Sequence, residues 1–198
     1  MVIAVDDRPT PLLELLWIRE AYGLRPAGDD LPPALVEAPR LDPIDTTVDA
    51  RHEWEHAWPS LWAAAVLHAG KEFDPSVHER LKQTANGSRE RRDALQELFG
   101  PNWRDRFGPD ALDRASYRSW DEANFRAKIA SRPAFLESNP LMRDVGAVER
   151  AWRAGMTEIS TIPCEGEHTR RVGDNALLIT ENTMTSSGSF RPAVERFG

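Results

Sequence analysis

The sequence predicts an α+β fold that is predominantly helical, with a small sheet near the C-terminus. Apolar residues recur at helical spacing through most of residues 10–155. Beyond that point the period changes, and short β-rich runs alternate with turns. Five prolines interrupt residues 24–49, where no regular element is expected. We therefore expect a single domain over residues 1–198, a length sufficient to bury a substantial core.

The first element is a predicted helix over residues 10–22. Thr10 is the expected N-cap, Pro11 occupies the first helical position and Gly23 ends the run. Leucines, Trp17 and Ile18 make this helix apolar around most of its circumference. Such a helix must be buried, either in its own core or against another chain.

Residues 24–49 are expected to form a Pro-rich arm that runs extended over the surface. The arm contains frequent acidic residues and no periodicity, and leucines such as Leu31 and Leu35 would anchor it. A flexible tether is the alternative interpretation. The sequence leaves open whether the arm packs on its own chain or on a neighbouring one.

A helical body follows over residues 50–155. Its strongest signal runs from Asp49 to Gly70, with tryptophans at every fourth position and Pro59 predicting either a kink or a break between two helices. Ser88 is the expected N-cap of a later helix, and Ser119 with Glu122 forms a predicted capping box. Beyond residue 70, further helices or helical turns are expected over residues 75–85, 88–99, 102–107, 109–115 and 141–154. Another helix is expected to follow the capping box at Ser119.

The last section, residues 156–198, is predicted to be a β-meander followed by a terminal helix. Three short β-rich runs cover residues 156–162, 167–172 and 176–180, and glycine-containing turns separate them. We expect a three-stranded antiparallel sheet from this pattern. The terminal helix is expected to begin near Ser189.

The composition restricts the possible binding partners and the cellular location of the protein. The formal net charge of −7 argues against nucleic acid, because binding nucleic acid usually requires a basic surface. The only cysteine, Cys164, excludes an intrachain disulfide and is typical of a reducing compartment. No apolar run is long enough for a membrane helix, and no secretory signal is recognisable at the start. We therefore predict a cytoplasmic protein, and the strong preference for Arg over Lys indicates a GC-rich bacterial genome.

The most specific motif is His52-Glu53-Trp54-Glu55-His56, which has the H-E-x-x-H pattern of zinc hydrolases. On a helix, this spacing places two imidazoles on one face, where they can share a zinc ion. Glu53 would act as the base that deprotonates a zinc-bound water. The third ligand would be Glu72 or Glu79, and His68 is a candidate extra ligand only if this site exists.

Several features weaken the zinc interpretation. The second variable position holds the charged Glu55, and Pro59 and Trp62 stand where the longer metzincin pattern requires glycine and histidine. On a helical wheel, His52 and His56 also lie opposite the tryptophan stripe. Partly exposed helix histidines without a metal are the competing explanation.

Two other groups of residues are weaker candidates for a functional site. The stripe of Trp54, Trp58 and Trp62 could line a ligand pocket or a partner surface, although such a stripe is more often core. Cys164 and His168 could form a nucleophile–base pair across a turn. No third orienting group is recognisable for this pair, which favours an idle thiol.

The sequence therefore supports two functional hypotheses. We favour a non-catalytic cytoplasmic binding or accessory protein that acts through a protein partner or self-association and needs no cofactor. The alternative is a peptidase-like zinc hydrolase with His52 and His56 as ligands and Glu53 as the base. Neither hypothesis predicts nucleic-acid or membrane binding.

Overall fold

The computed structural model describes residues 1–38, 48–71, 74–101, 103–104, 111–112 and 115–197, and only the backbone of residues 133–137. It confirms a mostly helical α+β fold with a small sheet built largely from the C-terminal section. The strands are β1 Ala4–Asp6, β2 Glu158–Ile162, β3 Thr169–Val172 and β4 Ala176–Thr180. The helices of the described residues are α1 Thr10–Ala21, α2 Val48–Ala69, α3 Ser76–Gln83, α4 Arg89–Phe99, α5 Ala115–Glu137, α6 Pro140–Arg143, α7 Val145–Arg153, α8 Glu181–Thr185 and α9 Ser187–Glu195.

The sheet is four-stranded and mixed, so the predicted three-stranded antiparallel meander is wrong in pairing. The strand order is β1-β2-β4-β3, in which β1, β2 and β4 are parallel and only β3 is antiparallel to its neighbour. Strand β4 is buried at every position, as a central strand must be. Strand β3 carries Arg170 and Arg171, which are better tolerated at an edge. Strand β1 has three residues and is absent from the sequence-based prediction.

The sheet separates two apolar clusters. Ile162 and Leu178 face the cluster that contains α1 and α2, whereas Ile159, Leu177 and Ile179 face the cluster that contains α7 and α9. This alternation follows from the two-residue repeat of a strand, which directs successive side chains to opposite faces. The described helices therefore cover both faces of the sheet.

Helices α1 and α2 pack directly against each other. The indole Nε1 of Trp58 donates a hydrogen bond to the carbonyl oxygen of Leu15 at 2.9 Å. Helix α2 continues through Pro59 without a break. The sequence left open whether α1 is buried in its own core or against another chain. The structure shows that the apolar surface of α1 is buried by its own chain. Thr10 is the first helical residue and not the N-cap, a position that Pro9 occupies without a side-chain hydrogen bond.

The described part of the arm, residues 24–38, packs on its own chain. The buried guanidinium of Arg19 donates to the carbonyl oxygens of Pro32 and Pro33 at 2.7 and 2.5 Å. Leu35 forms an isolated antiparallel bridge with Cys164. The arm is therefore held against the end of β2, and its remaining residues, 39–47, lie outside the described part.

The helix boundaries test the capping predictions. Ser88 is the N-cap of α4, since its hydroxyl accepts the amide hydrogen of Arg91 at 3.1 Å. The predicted box at Ser119 is wrong as a helix start, because α5 begins at Ala115. The helix predicted over residues 141–154 is divided at Asp144 into α6 and α7. Most of the helical turns predicted over residues 102–107 and 109–115 lie outside the described residues.

Candidate functional site

The H-E-x-x-H residues lie on the solvent side of the first half of α2. His52, Glu53 and His56 are exposed, and the side chain of His52 keeps 90% of its surface in solvent. The Nδ1 atom of His52 lies 3.8 Å from Oε2 of Glu55. Glu55 itself accepts a hydrogen bond from the backbone amide of Arg25 at 2.9 Å. The motif therefore borders the arm, not a cavity.

The structure brings no third ligand to this motif among the residues it describes. Glu79 lies on α3, exposed, and pairs with the ammonium of Lys82 at 2.7 Å. Glu72 lies outside the described residues. Within the described ranges, no group of three His, Cys, Asp or Glu side chains is placed to hold a metal ion.

The tryptophans of α2 belong to the core. Trp58 and Trp62 are fully buried and stack with ring centroids 5.3 Å apart. Trp54 is partly buried and meets Tyr22 edge-to-face at 4.7 Å. As the structure stands, Trp58 and Trp62 offer no surface to a ligand or partner.

Cys164 and His168 do not form a reactive pair. The Cys164 side chain is buried, and this burial raises the pKa of its thiol to about 12. The thiol is therefore protonated near neutral pH, and the thiolate is the nucleophilic form. Burial also lowers the pKa of His168, whose Nε2 atom has no hydrogen-bond partner among the described residues.

A cleft of about 580 Å³ lies where the segment after β1, the end of α2 and helices α3 and α4 meet the start of β2. We call it the β1 cleft. Its apolar wall includes Pro9, Pro11, Leu12, Ala65, Ala69, Val77, Leu98 and Phe99. Its polar lining consists of Asp6, Arg8, Thr10, His68, Lys71, Asp74, Glu97 and Glu158.

Parallel pairing of β1 with β2 creates one end of this cleft. The register places Ala4 beside Glu158 and Asp6 beside Ser160, so Asp6 and Glu158 lie on the same face of the sheet. Gly70 lets the end of α2 approach this face, because a Cβ atom there would lie 2.7 Å from Cγ1 of Val172. The cleft thus depends on segments about 150 residues apart.

Glu158 is the least compensated acid of the cleft. It is half-buried, and its carboxylate makes no hydrogen bond or salt bridge with any described residue. Burial, followed by the negative charge of Asp6, raises the pKa of its carboxyl group. Asp6, by contrast, accepts the backbone amide hydrogen of Arg8 at 2.9 Å. A half-buried carboxylate without a partner is costly for the folded state.

His68 lines the cleft and packs against the end of α4. A Cβ atom on Gly100 would lie 2.0 Å from Cδ2 of His68, so the ring packs directly against the glycine backbone. The Nδ1 atom is buried and has no hydrogen-bond partner among the described residues. Burial, and then the charge of Lys71, lowers the pKa of His68. The imidazole is therefore neutral near pH 7.

Most other charged groups of the cleft already have partners. Arg8 forms a salt bridge with Asp121 at 2.5 Å, Glu97 pairs with Arg80, and Asp74 accepts hydrogen bonds from Ser76. Lys71 is exposed, and its ammonium makes no salt bridge with a described residue. Within the described cleft lining, the Glu158 carboxylate and the Lys71 ammonium thus make no hydrogen bond or salt bridge, and the Asp6 carboxylate accepts one backbone amide, so these groups can contact a ligand.

Sequence reasoning does not single out Asp6, Lys71 or Glu158, and it identifies His68 only as an extra ligand for the zinc motif. The one usable signal is the short apolar run before Asp6, which is typical of a strand leading into a helix. The pairing of that strand with β2 carries no local sequence pattern.

Comparison of the chain with protein-family models, with curated proteins and with solved structures gave no match. Across the described residues, no helix has the length and apolar character needed to cross a membrane.

Proposed function

We propose that this protein binds a small molecule non-catalytically in the β1 cleft. The observation that carries this proposal is that Glu158 and His68, both half-buried, line one cleft, and that the Glu158 carboxylate makes no hydrogen bond or salt bridge with a described residue. Burying such groups without partners costs free energy. Groups of this kind in a concave site are typical of places where a ligand supplies the missing contacts.

The size and wall of the cleft also support a small ligand. Pockets for small molecules commonly have volumes of about 300–1,000 Å³ and a mainly apolar lining with a few polar groups. The β1 cleft has about 580 Å³, and Leu98 and Phe99 supply apolar surface. A ligand with an apolar body and one or two polar groups would match this lining.

Binding is preferred to catalysis because of which side chains line the cleft. The described lining has no Ser or Cys, and its one hydroxyl, that of Thr10, donates to the carbonyl oxygen of Arg8 and not to His68. The zinc alternative gains no specific support, since the described residues assemble no metal cluster. Binding alone needs only the contacts that Glu158, His68 and Lys71 can offer.

The surfaces that first suggested self-association are occupied within the chain. Helix α1 and the rings of Trp58 and Trp62 are buried in the core. A protein partner, a cytoplasmic location and a bacterial source stay predictions. The proposal therefore names a small molecule as the ligand, not a second copy of the chain.

A blocking substitution tests this proposal. Thr10 is exposed at the wall of the cleft, so Thr10→Trp should fill the cleft without disturbing the core. The probes are 2-phenylethylamine, 2-phenylethanol and 3-phenylpropionate, which are similar in size and differ in charge. At about ten times its Kd, a bound probe should stabilise the wild type by about 1.4 kcal/mol. This corresponds to a rise of about 3–6 °C in a thermal-shift assay.

Ser60→Trp is the matched control, because Ser60 is exposed on α2 outside the cleft. At least one probe should stabilise the wild type and Ser60→Trp but not Thr10→Trp. Stabilisation of all three proteins to the same extent would place binding elsewhere. Absence of stabilisation by every probe would contradict the proposal.

A further inference from the structure

The lining of the β1 cleft carries more negative than positive charge. Asp6 and Glu158 lie together at the end formed by the sheet, and the negative charge of Asp6 acts on Glu158. Lys71 lies at the end of α2, where its charge acts on His68. The complete described lining contains four carboxylates against two cationic side chains, Arg8 and Lys71. The sheet end is therefore the place where a positive charge would be most favourable.

The two cations of the lining do not compensate this end. The guanidinium of Arg8 is directed to Asp121 and lies over the ring of Phe125, with 5.0 Å to the ring centroid. Lys71 is exposed, so water can solvate its ammonium at little cost. Water solvates the carboxylate of Glu158 less completely, because this residue is half-buried. Among the charged groups of the described cleft lining, the carboxylate of Glu158 is therefore the least compensated by solvent and by other side chains.

A buried hydroxyl adds a second unmet polar group beside the carboxylates. Ser160 is only 2% exposed, and its Oγ has no hydrogen-bond partner among the described residues. In the strand register it stands next to Asp6, and it follows Glu158 by two positions on the same face. The two carboxylates of the sheet end thus have a buried hydroxyl beside them in the sheet, although Ser160 itself does not line the cleft.

We infer that the ligand of the β1 cleft is an apolar primary amine whose ammonium group binds between Asp6 and Glu158. This inference rests on the proposed function, because it assigns the ligand class of the same cleft. An ammonium has three donors and no acceptor, which suits a site composed of acceptors. Its hydrogen bonds to carboxylates are charge-assisted and stronger than neutral ones.

The apolar wall of the cleft indicates that the rest of the ligand is apolar. Phe99 is 58% exposed although it lines the cleft, and Leu98 and Val77 lie on the same wall. A hydrocarbon or aromatic body placed there would cover this surface, and removing apolar surface from water is favourable. A divalent metal ion is the poorer occupant, because it needs about six oxygen ligands and the described residues provide no group of three metal-binding side chains.

Calorimetric titration of the full chain tests the inference with the same three probes. Glu158→Gln removes the charge of Glu158 and keeps its size, and Glu149→Gln is the control because Glu149 is exposed on α7 outside the cleft. We expect 2-phenylethylamine to bind Glu158→Gln about tenfold more weakly than wild type, as for one lost charge-assisted hydrogen bond. Binding to Glu149→Gln should equal wild type within about twofold. Thermal melts establish that both variants are folded.

The neutral and anionic probes separate this inference from the proposed function. Weaker binding of 2-phenylethanol and 3-phenylpropionate than of the amine supports the ammonium site. Equal binding of alcohol and amine, or amine binding unaffected by Glu158→Gln, overturns the ammonium inference and leaves a cleft that binds by apolar contact. Failure of all three probes to bind the wild type overturns both.

Discussion

At the scale of single residues, Glu158 links stability with the proposed function. Its carboxyl pKa is raised by burial and by Asp6, so the folded chain binds more protons than the unfolded chain between the two pKa values. The free energy of unfolding therefore falls as pH rises through this interval, and it stays lower above it. Residues kept for binding commonly carry such a cost.

Glu158→Gln should therefore raise the melting temperature near neutral pH, because it removes a half-buried charge without a partner among the described residues. The gain should shrink on acidification and vanish below about pH 3, where the wild-type carboxyl is protonated in both states. Thermal melts over this pH range measure the effect, with Glu149→Gln expected to differ from wild type by less than about 0.5 kcal/mol. A variant that melts at or below the wild-type temperature at neutral pH would contradict this explanation.

At the scale of elements, the end of α4 holds the end of α2 through a glycine and a histidine. Gly100 follows α4 with φ +74° and ψ −177°, a conformation that is essentially restricted to glycine. Its backbone lies against the ring of His68, which leaves no space for a Cβ atom. This contact fixes the imidazole at the wall of the β1 cleft.

Gly100→Ala should destabilise the protein by about 1–3 kcal/mol from backbone strain, with a further cost from the clash with His68. Gly87→Ala is the control, because Gly87 also has a positive φ, +80°, but a Cβ atom there would meet nothing within 4 Å. Combining Gly100→Ala with His68→Ala should cost at least about 1 kcal/mol less than the sum of the two single changes. Denaturant unfolding measures these free energies, and strict additivity would show that the contact is not the cause.

The helix ends also show which local sequence patterns are sufficient to predict a helix boundary. The prediction of Ser88 as an N-cap is confirmed, because its hydroxyl needs only an amide three residues away. Ser119 and Glu122 have the same local pattern but lie inside α5. A capping box competes with continuation of the helix, and here the preceding residues continue it. Local patterns thus locate most helices but not all their ends.

At the scale of the whole molecule, pairing between distant segments determines both the sheet and the cleft. The positions of β2, β3 and β4 are predictable from composition, whereas their order is not, since β2 pairs with β4 and not with the next strand along the chain. Strand β1 is too short to give a periodic signal, and its pairing with β2 spans about 150 residues. The H-E-x-x-H motif is local and therefore visible in the sequence. The cleft is not local, and only the fold brings Asp6 and Glu158 together.

The central claim is that the β1 cleft is the binding site, and amide chemical-shift mapping by NMR tests it most directly. On addition of 2-phenylethylamine, 2-phenylethanol or 3-phenylpropionate, at least one probe should shift the amide signals of Asp6, His68, Phe99 and Glu158 in a saturable manner. Signals of the H-E-x-x-H segment, residues 52–56, should stay in place, because that segment does not line the cleft. Saturable shifts confined to other surfaces, or no shifts with any of the probes, would contradict the claim.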